Sequence, residues 1–237
     1  MTFVPPSGLL LVDKPSGITS HDVVAQIRRW MGFKGVGHAG TLDPLATGLM
    51  IILVGKGTKI SDFILNGDKS YDVRVQLGLQ TDTDDITGEV LDKQSVNFSF
   101  EQLSSAALKL QGDLELQVPS YSAIKQKGKK LYKMAREKKD FTPPTRKMSF
   151  RQVKVLGGES HWLEAHLDCS KGTYIRSWAK ALGQEFGVGA VVETLRRTDS
   201  SPYSVENSRE LGEITAQPFD PLILKSFETQ GLSLIHI

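Results

Sequence analysis

A chain of 237 residues, 39% apolar and 24% charged, is long enough for one large domain or two small ones and sits in the soluble globular range. Its lone cysteine, Cys169, excludes an internal disulfide and a cysteine-rich zinc site and fits a reducing compartment. The net charge is only +2, no apolar run reaches the length of a membrane span, and the amino-terminal residues lack a basic segment followed by a long apolar one. Neither membrane insertion nor secretion is therefore indicated, and a cytoplasmic location is expected.

Residues 9–12 read as a short buried strand, followed by a turn at Lys14-Pro15-Ser16-Gly17. A helix is expected from near Thr19, where Thr19 and Asp22 have capping-box spacing. Val23, Val24, Ile27 and Trp30 recur at helical spacing, and the helix should stop by Gly32. The next run, Gly37-His38-Ala39-Gly40-Thr41-Leu42-Asp43-Pro44-Leu45-Ala46-Thr47-Gly48, places one carboxylate in a loop whose backbone is closely specified. Glycines permit tight turns and close approach, and Pro44 fixes its own φ and biases Asp43 toward extended conformations. Leu42, Leu45 and Leu49 suggest that this loop packs onto a core, which would hold the Asp43 side chain still. A plain Gly/Pro-rich connection is the bland alternative.

Residues 50–54 are apolar throughout, as in a central strand, and a second helix is expected over 58–65. Residues 71–77 alternate polar and apolar, the pattern of a strand with one wet face, and 81–88 read as a loop. Residues 100–110 favour a helix. The stretch 118–145 contains a basic segment between Pro119 and Pro143-Pro144, and prolines at both ends suggest an excursion from the sheet. Within it, from Lys125 to Lys139, eight basic residues stand against Glu137 alone, so the rest of the chain is net negative. Such segregation is the footprint of a polyanion-binding surface, because phosphate contacts must lie together to follow one backbone; a solvated amphipathic helix with Leu131, Tyr132, Met134 and Ala135 inward is compatible with it. Strands are expected at 150–156, 162–168 and 189–197, with a helix over 174–186. Without strict βα alternation, the fold class is α+β around a mixed, largely antiparallel central sheet flanked by helices and loops. Residues 231–237 form an odd apolar end that suits a truncated or misread terminus as well as a native one.

Several motifs lack their context. Gly35-Val36-Gly37-His38-Ala39-Gly40 fits the dinucleotide fingerprint, with Asp62 near the required distance, yet a helix precedes it and Asp43-Pro44 breaks the segment in which a helix should open. Lys56 lacks the upstream glycine of a phosphate-cradling loop. Asp82, Asp84 and Asp85 resemble the start of a calcium loop, but Gly88 is one place late and Lys93 stands where the bidentate glutamate belongs. His21, His38, His161, His166 and His236 show no zinc-binding pair at helical spacing, so no metal site is expected.

The chain resembles the TruB family of tRNA pseudouridine-55 synthases over residues 8–224. The likeness rests on Val12-Asp13-Lys14-Pro15-Ser16-Gly17, the Asp43 loop, Lys69-Ser70-Tyr71, Thr81-Asp82-Thr83-Asp84, Pro119-Ser120-Tyr121-Ser122-Ala123-Ile124-Lys125 and Cys169-Ser170-Lys171-Gly172-Thr173-Tyr174-Ile175-Arg176. Leu45-Ala46 looks like the stand-alone bacterial type rather than guide-RNA-dependent relatives. The resemblance implies a pseudouridine synthase fold, with residues 1–230 as a catalytic domain and an RNA-gripping excursion at about 119–145; the small carboxy-terminal RNA-binding domain of many bacterial members is expected to be missing. It also implies isomerisation of a uridine in the T arm of tRNA, with no cofactor, no required protein partner and a monomeric enzyme. Asp43 would be the catalytic carboxylate, its part in the first chemical step being left open, and Arg176 would pair with it to keep it charged. His38, Tyr71, Asp85, Tyr174, Arg176 and Leu195 would bind the substrate nucleotide. Lys14, Lys125, Lys129, Lys130 and Tyr132 would bind RNA. Two other readings are an RNA-binding or RNA-folding protein without isomerase activity and a nucleotide-dependent enzyme using the glycine-rich loop.

Overall fold

The computed structural model describes residues 6–138 and 140–225. In chain order its elements are β1 (Gly8–Lys14), α1 (Ser20–Met31), β2 (Val36–His38), β3 (Thr47–Val54), α2 (Ser61–Leu65), β4 (Lys69–Leu77), β5 (Leu79–Thr81), β6 (Val90–Lys93), α3 (Phe100–Lys109) and β7 (Gly112–Gln117). There follow β8 (Lys125–Gln126), β9 (Lys129–Lys130), α4 (Leu131–Arg136), β10 (Thr145–Glu159), β11 (Trp162–Cys169), α5 (Ile175–Gln184), β12 (Ala190–Ser200), β13 (Tyr203–Ser204), β14 (Arg209–Glu210) and α6 (Leu211–Ala216). The odd apolar end at 231–237 and Lys139 of the basic run lie outside the described residues. The described residues form two compact units, the first taking 6–69 and 196–225, the second Ser70–Leu195.

In the first unit, β3 is central. One of its edges pairs antiparallel with β1 along its length, from Gly8 opposite Val54 to Lys14 opposite Gly48. Its other edge is shared, β2 pairing antiparallel at Val36 to His38 and the second half of β12 pairing parallel at Arg196 opposite Thr47 and Arg197 opposite Gly48. Both faces of β1 and β3 are covered, which is why their sequences are almost unbroken apolar runs. Leu10, Val12, Met50, Ile52 and Val54 pack with Val23, Val24 and Ile27 of α1 and with Leu211 and Ile214 of α6. Alternate residues Leu9, Leu11, Leu49, Ile51 and Leu53 pack on the opposite face with Ile60, Ile64 and Tyr203.

The expected cap of α1 is present in full: Thr19 and Asp22 exchange hydrogen bonds as a capping box, and Gly32 ends the helix with φ 61°. The expected helix over 58–65 is corrected to a 3₁₀ turn at Gly55–Ile60 followed by the short α2. Gly55 adopts φ 58° at the head of that turn, and two glycines in three residues do not sustain a longer α-helix.

In the second unit the strand order is β4–β11–β10–β7, with β10 antiparallel to both β11 and β7. Phe150 and Trp178 are wholly buried, and Trp178 Nε1 donates to Leu110 O at 3.2 Å, fastening α5 to the end of α3. Between β7 and β10 the chain forms the β8–β9 hairpin and α4, which belong to a separate two-stranded sheet and one short helix. The positive φ of Lys127 and of Gly128 gives that hairpin the turn twist that two-residue hairpins favour.

Candidate active site and RNA-contact surface

In the first unit, every backbone carbonyl from Leu42 to Ala46, the stretch bearing Asp43, accepts a hydrogen bond. Asp43 is half-buried; its carbonyl accepts from Ala46 N at 3.1 Å, a turn with Pro44 at its second position. Ser20, at the start of α1, exchanges bonds with Leu42, its hydroxyl lying 2.9 Å from Leu42 O and 2.8 Å from Leu42 N. Gly17 N donates to Pro44 O at 2.8 Å and Ser16 Oγ to Leu45 O at 3.0 Å. The turn after β1 therefore grips the far side of the loop. Leu42 and Leu49 are buried as expected, whereas Leu45 is half-buried and Pro44 exposed.

Two buried cations complete the support. Lys14 is wholly buried, and its Nζ donates to the carbonyls of Pro15, Pro44 and Ala46 at 2.9, 3.2 and 2.7 Å. Lys14, expected to bind RNA, turns its ammonium to the loop's own backbone. Burial pulls its pKa from 10.5 down to about 8, against the attraction of Asp43, with Arg197 adding repulsion. Arg197, 1% exposed, was not expected to matter and proves central: Nε donates to Leu49 O at 2.7 Å and Nη2 to Gly40 O at 3.3 Å, so one guanidinium holds both flanks of the loop. Gly40 leaves room for the guanidinium, a Cβ there lying 3.3 Å from Nη1, and Gly48 leaves room for the Arg197 backbone. A Cβ on Gly48, whose φ is 96°, would lie 2.3 Å from Arg197 O. Arg196 forms a bidentate pair with Asp13 at 3.1 and 2.6 Å.

His38, expected in a loop, ends β2 opposite Ile52, and Arg28 of α1 fixes that strand by donating to Val36 O at 2.6 Å. Burial, then the charges of Arg197 and His21, lower the His38 pKa, so the ring is neutral near neutral pH. A neutral imidazole suits packing against a base rather than pairing with phosphate.

In the second unit, Tyr71 is half-buried near the start of β4, and Leu195 is buried in β12. Asp85 is 6% exposed and its carboxylate accepts from Thr83 Oγ1, Thr87 N and Thr87 Oγ1 at 2.9, 2.9 and 2.6 Å. It organises the loop between β5 and β6, which is stitched to β12 by Ile86 N donating to Val192 O. Tyr174 is the N-cap residue of α5 and Arg176 stands in its first turn. Arg176 is 5% exposed; Nη1 donates to Thr83 O at 2.8 Å and Nη2 to Tyr121 O at 3.0 Å.

Lys125, Lys129 and Lys130 are exposed on the β8–β9 hairpin, with Lys125 directly opposite Lys130 and Gln126 opposite Lys129. Like charges opposed across a hairpin destabilise it, an arrangement that favours binding a polyanion. Tyr132 lies beside them, with Lys130 Nζ 5.7 Å and the Arg136 guanidinium 5.6 Å from its ring centre.

Residues 28–175 match the model of the TruB family pseudouridylate synthase amino-terminal domain, a stretch that includes Asp43, Tyr71, Asp85 and Tyr174. The chain is 51% identical over 211 residues to a Bdellovibrio bacteriovorus protein named tRNA pseudouridine synthase B, covering 89% of this chain and 68% of that one. It is 42% identical over 223 residues to the Acaryochloris marina protein of the same name, covering 91% and 77%. Among solved structures, a chain of a Cbf5-Nop10-Gar1 complex superposes with a TM-score of 0.69 at 26% identity, over 88% of this chain and 54% of its own length. With a family model matching most of its length and relatives this similar, the chain belongs to the TruB family of pseudouridylate synthases.

Proposed function

We propose that this chain isomerises a uridine of tRNA, at position 55 in the T arm, to pseudouridine, with Asp43 as the catalytic carboxylate. The observation that carries the reading is the Asp43 loop itself: one half-buried carboxylate on a backbone tied by Ser16, Gly17, Ser20, Lys14 and Arg197. The names of the similar proteins supply the substrate class. In this reaction the C1′–N1 bond breaks, the base turns, and C5 bonds to C1′; the hydrogen on C5 leaves to solvent and N1 takes up a proton, so the product is an isomer and no co-reactant is consumed. An ionised, immobile carboxylate at the sugar–base junction can act as nucleophile or base with little reorganisation of its surroundings.

A uridine inside a folded arm must be extruded first, at a cost of a few kcal/mol, offset by stacking and backbone contacts. His38, Tyr71, Asp85, Tyr174, Arg176 and Leu195 are proposed to receive the extruded nucleotide, on the strength of the motifs they occupy. Lys125, Lys129, Lys130 and Tyr132 are proposed to follow the phosphates of the arm, which gives affinity without base identity. On this reading residues 1–230 form the catalytic domain, 119–145 its RNA-gripping part, and a cytoplasmic monomer needs neither cofactor nor protein partner. Asp43→Asn is expected to abolish conversion of a tRNA transcript while leaving its affinity within about twofold, since the charge removed is one of repulsion toward RNA. Retained conversion by this variant would overturn the assignment.

A further inference from the structure

The root of the basic hairpin is held in a closed circuit of hydrogen bonds. Tyr121, four positions before Lys125, is gripped at both ends. Its hydroxyl donates to Asp82 Oδ2 at 2.9 Å and its carbonyl accepts from Arg176 Nη2 at 3.0 Å. Arg176 Nη1 closes the ring on Thr83 O at 2.8 Å, the residue after Asp82. Asp82 is itself fixed, because its other carboxylate oxygen accepts from Glu89 N at 2.8 Å. One residue further along α5, Ser177 Oγ donates to Gln117 O at 2.7 Å, where β7 ends and the excursion begins. Past Tyr121 the chain folds back on itself, with Tyr132 N donating to Ser122 O at 3.1 Å and Leu131 N to Ile124 O at 2.8 Å, so the aim of Lys125, Lys129 and Lys130 follows the orientation of Tyr121.

We propose that the Asp82–Tyr121 hydrogen bond is a latch that sets the direction of the RNA-gripping hairpin, making both residues positioning residues for tRNA binding rather than for the chemical step. The inference rests on the functional reading above. Arg176 anchors one side of the circuit through backbone carbonyls, which no side-chain change at Tyr121 removes. The hydroxyl–carboxylate bond is the part a substitution can open alone. Opening it frees the hairpin root to pivot while every phosphate-binding lysine remains.

The test compares native protein with Tyr121→Phe, Asp82→Asn, Asp82→Ala and the Tyr121→Phe/Asp82→Ala pair, reading tRNA dissociation constant, KM and kcat, salt dependence of binding, and thermal melting. Tyr121→Phe is expected to raise Kd and KM by about threefold to tenfold, the range for the net worth of one ordinary hydrogen bond, with kcat within about twofold and the salt slope unchanged. Asp82→Asn keeps an oxygen acceptor and should lie closer to native than Asp82→Ala. The double variant should bind no worse than Asp82→Ala alone. Native affinity in Tyr121→Phe, a loss confined to kcat, or additive losses in the double variant would each overturn the latch. If native protein neither binds nor converts tRNA, the functional reading falls first; native activity with an indifferent Tyr121→Phe removes the latch alone.

Discussion

The loop that carries Asp43 is held through its backbone carbonyls by two buried cations, Lys14 and Arg197. Arg197→Met would strand the carbonyls of Leu49 and Gly40 in a buried setting, and a loss of about 2–4 kcal/mol in urea-induced unfolding is expected, with Arg197→Lys intermediate. Lys14 supplies a pH signature. Its proton is held less tightly in the folded chain, at about 8, than at the ordinary 10.5, so between those values the unfolded chain binds more protons. The contribution of this group to stability therefore rises from about pH 8 toward 10.5, and below pH 8 its burial cost is present in full. Melting of native protein relative to Lys14→Met should show that rise; a difference flat across the window would contradict it. At this scale the carboxylate, the glycines and Pro44 were legible in the sequence because they act locally. Arg197 was not, since its partners at Gly40 and Leu49 lie far away in the chain, and the three carbonyl partners of Lys14, two of them some thirty residues away, were equally invisible.

Elements whose signals are local came through for the same reason. The capping box and closing glycine of α1, the apolar run of β3 and the alternation of β4 are each readable within a few residues. Strands β2 and β14 are three and two residues long and exist through pairing with partners elsewhere in the chain, which no local pattern announces, whereas the alternation of Asp113-Leu114-Glu115-Leu116-Gln117 in β7 was there to be read. Close pairing also limits substitution. Gly48→Ala places a Cβ 2.3 Å from Arg197 O at a φ of 96°, and should cost at least about 2 kcal/mol by thermal or chemical melting. In the β8–β9 hairpin, replacing Lys129 and Lys130 with Ala should weaken tRNA binding at low salt and reduce the slope of log affinity against log salt by roughly one to two, while relieving like-charge opposition to Lys125. An unchanged slope would remove these lysines from the RNA surface.

Across the molecule, the chain passes from one compact unit to the other within or beside β4 and β12. The first unit carries Asp43, His38, Lys14 and Arg197; the second carries Tyr71, Asp85, Tyr174, Arg176, Leu195 and the basic hairpin. The α+β class and largely antiparallel pairing were legible from strands and helices that do not alternate. The division into units was not, because it depends on which distant segments pack together, with residues 196–225 returning to those before 70. This distribution predicts separable phenotypes: changes at Asp43 remove turnover, and changes in the hairpin weaken binding. The most direct measurement is tritium release from a tRNA transcript labelled at uridine C5, comparing native protein with Asp43→Asn, because isomerisation must free that hydrogen. Release by native protein and none by the variant, with both still binding the transcript, is the result expected; release by Asp43→Asn, or none by native protein bound to the same tRNA, would contradict the assignment.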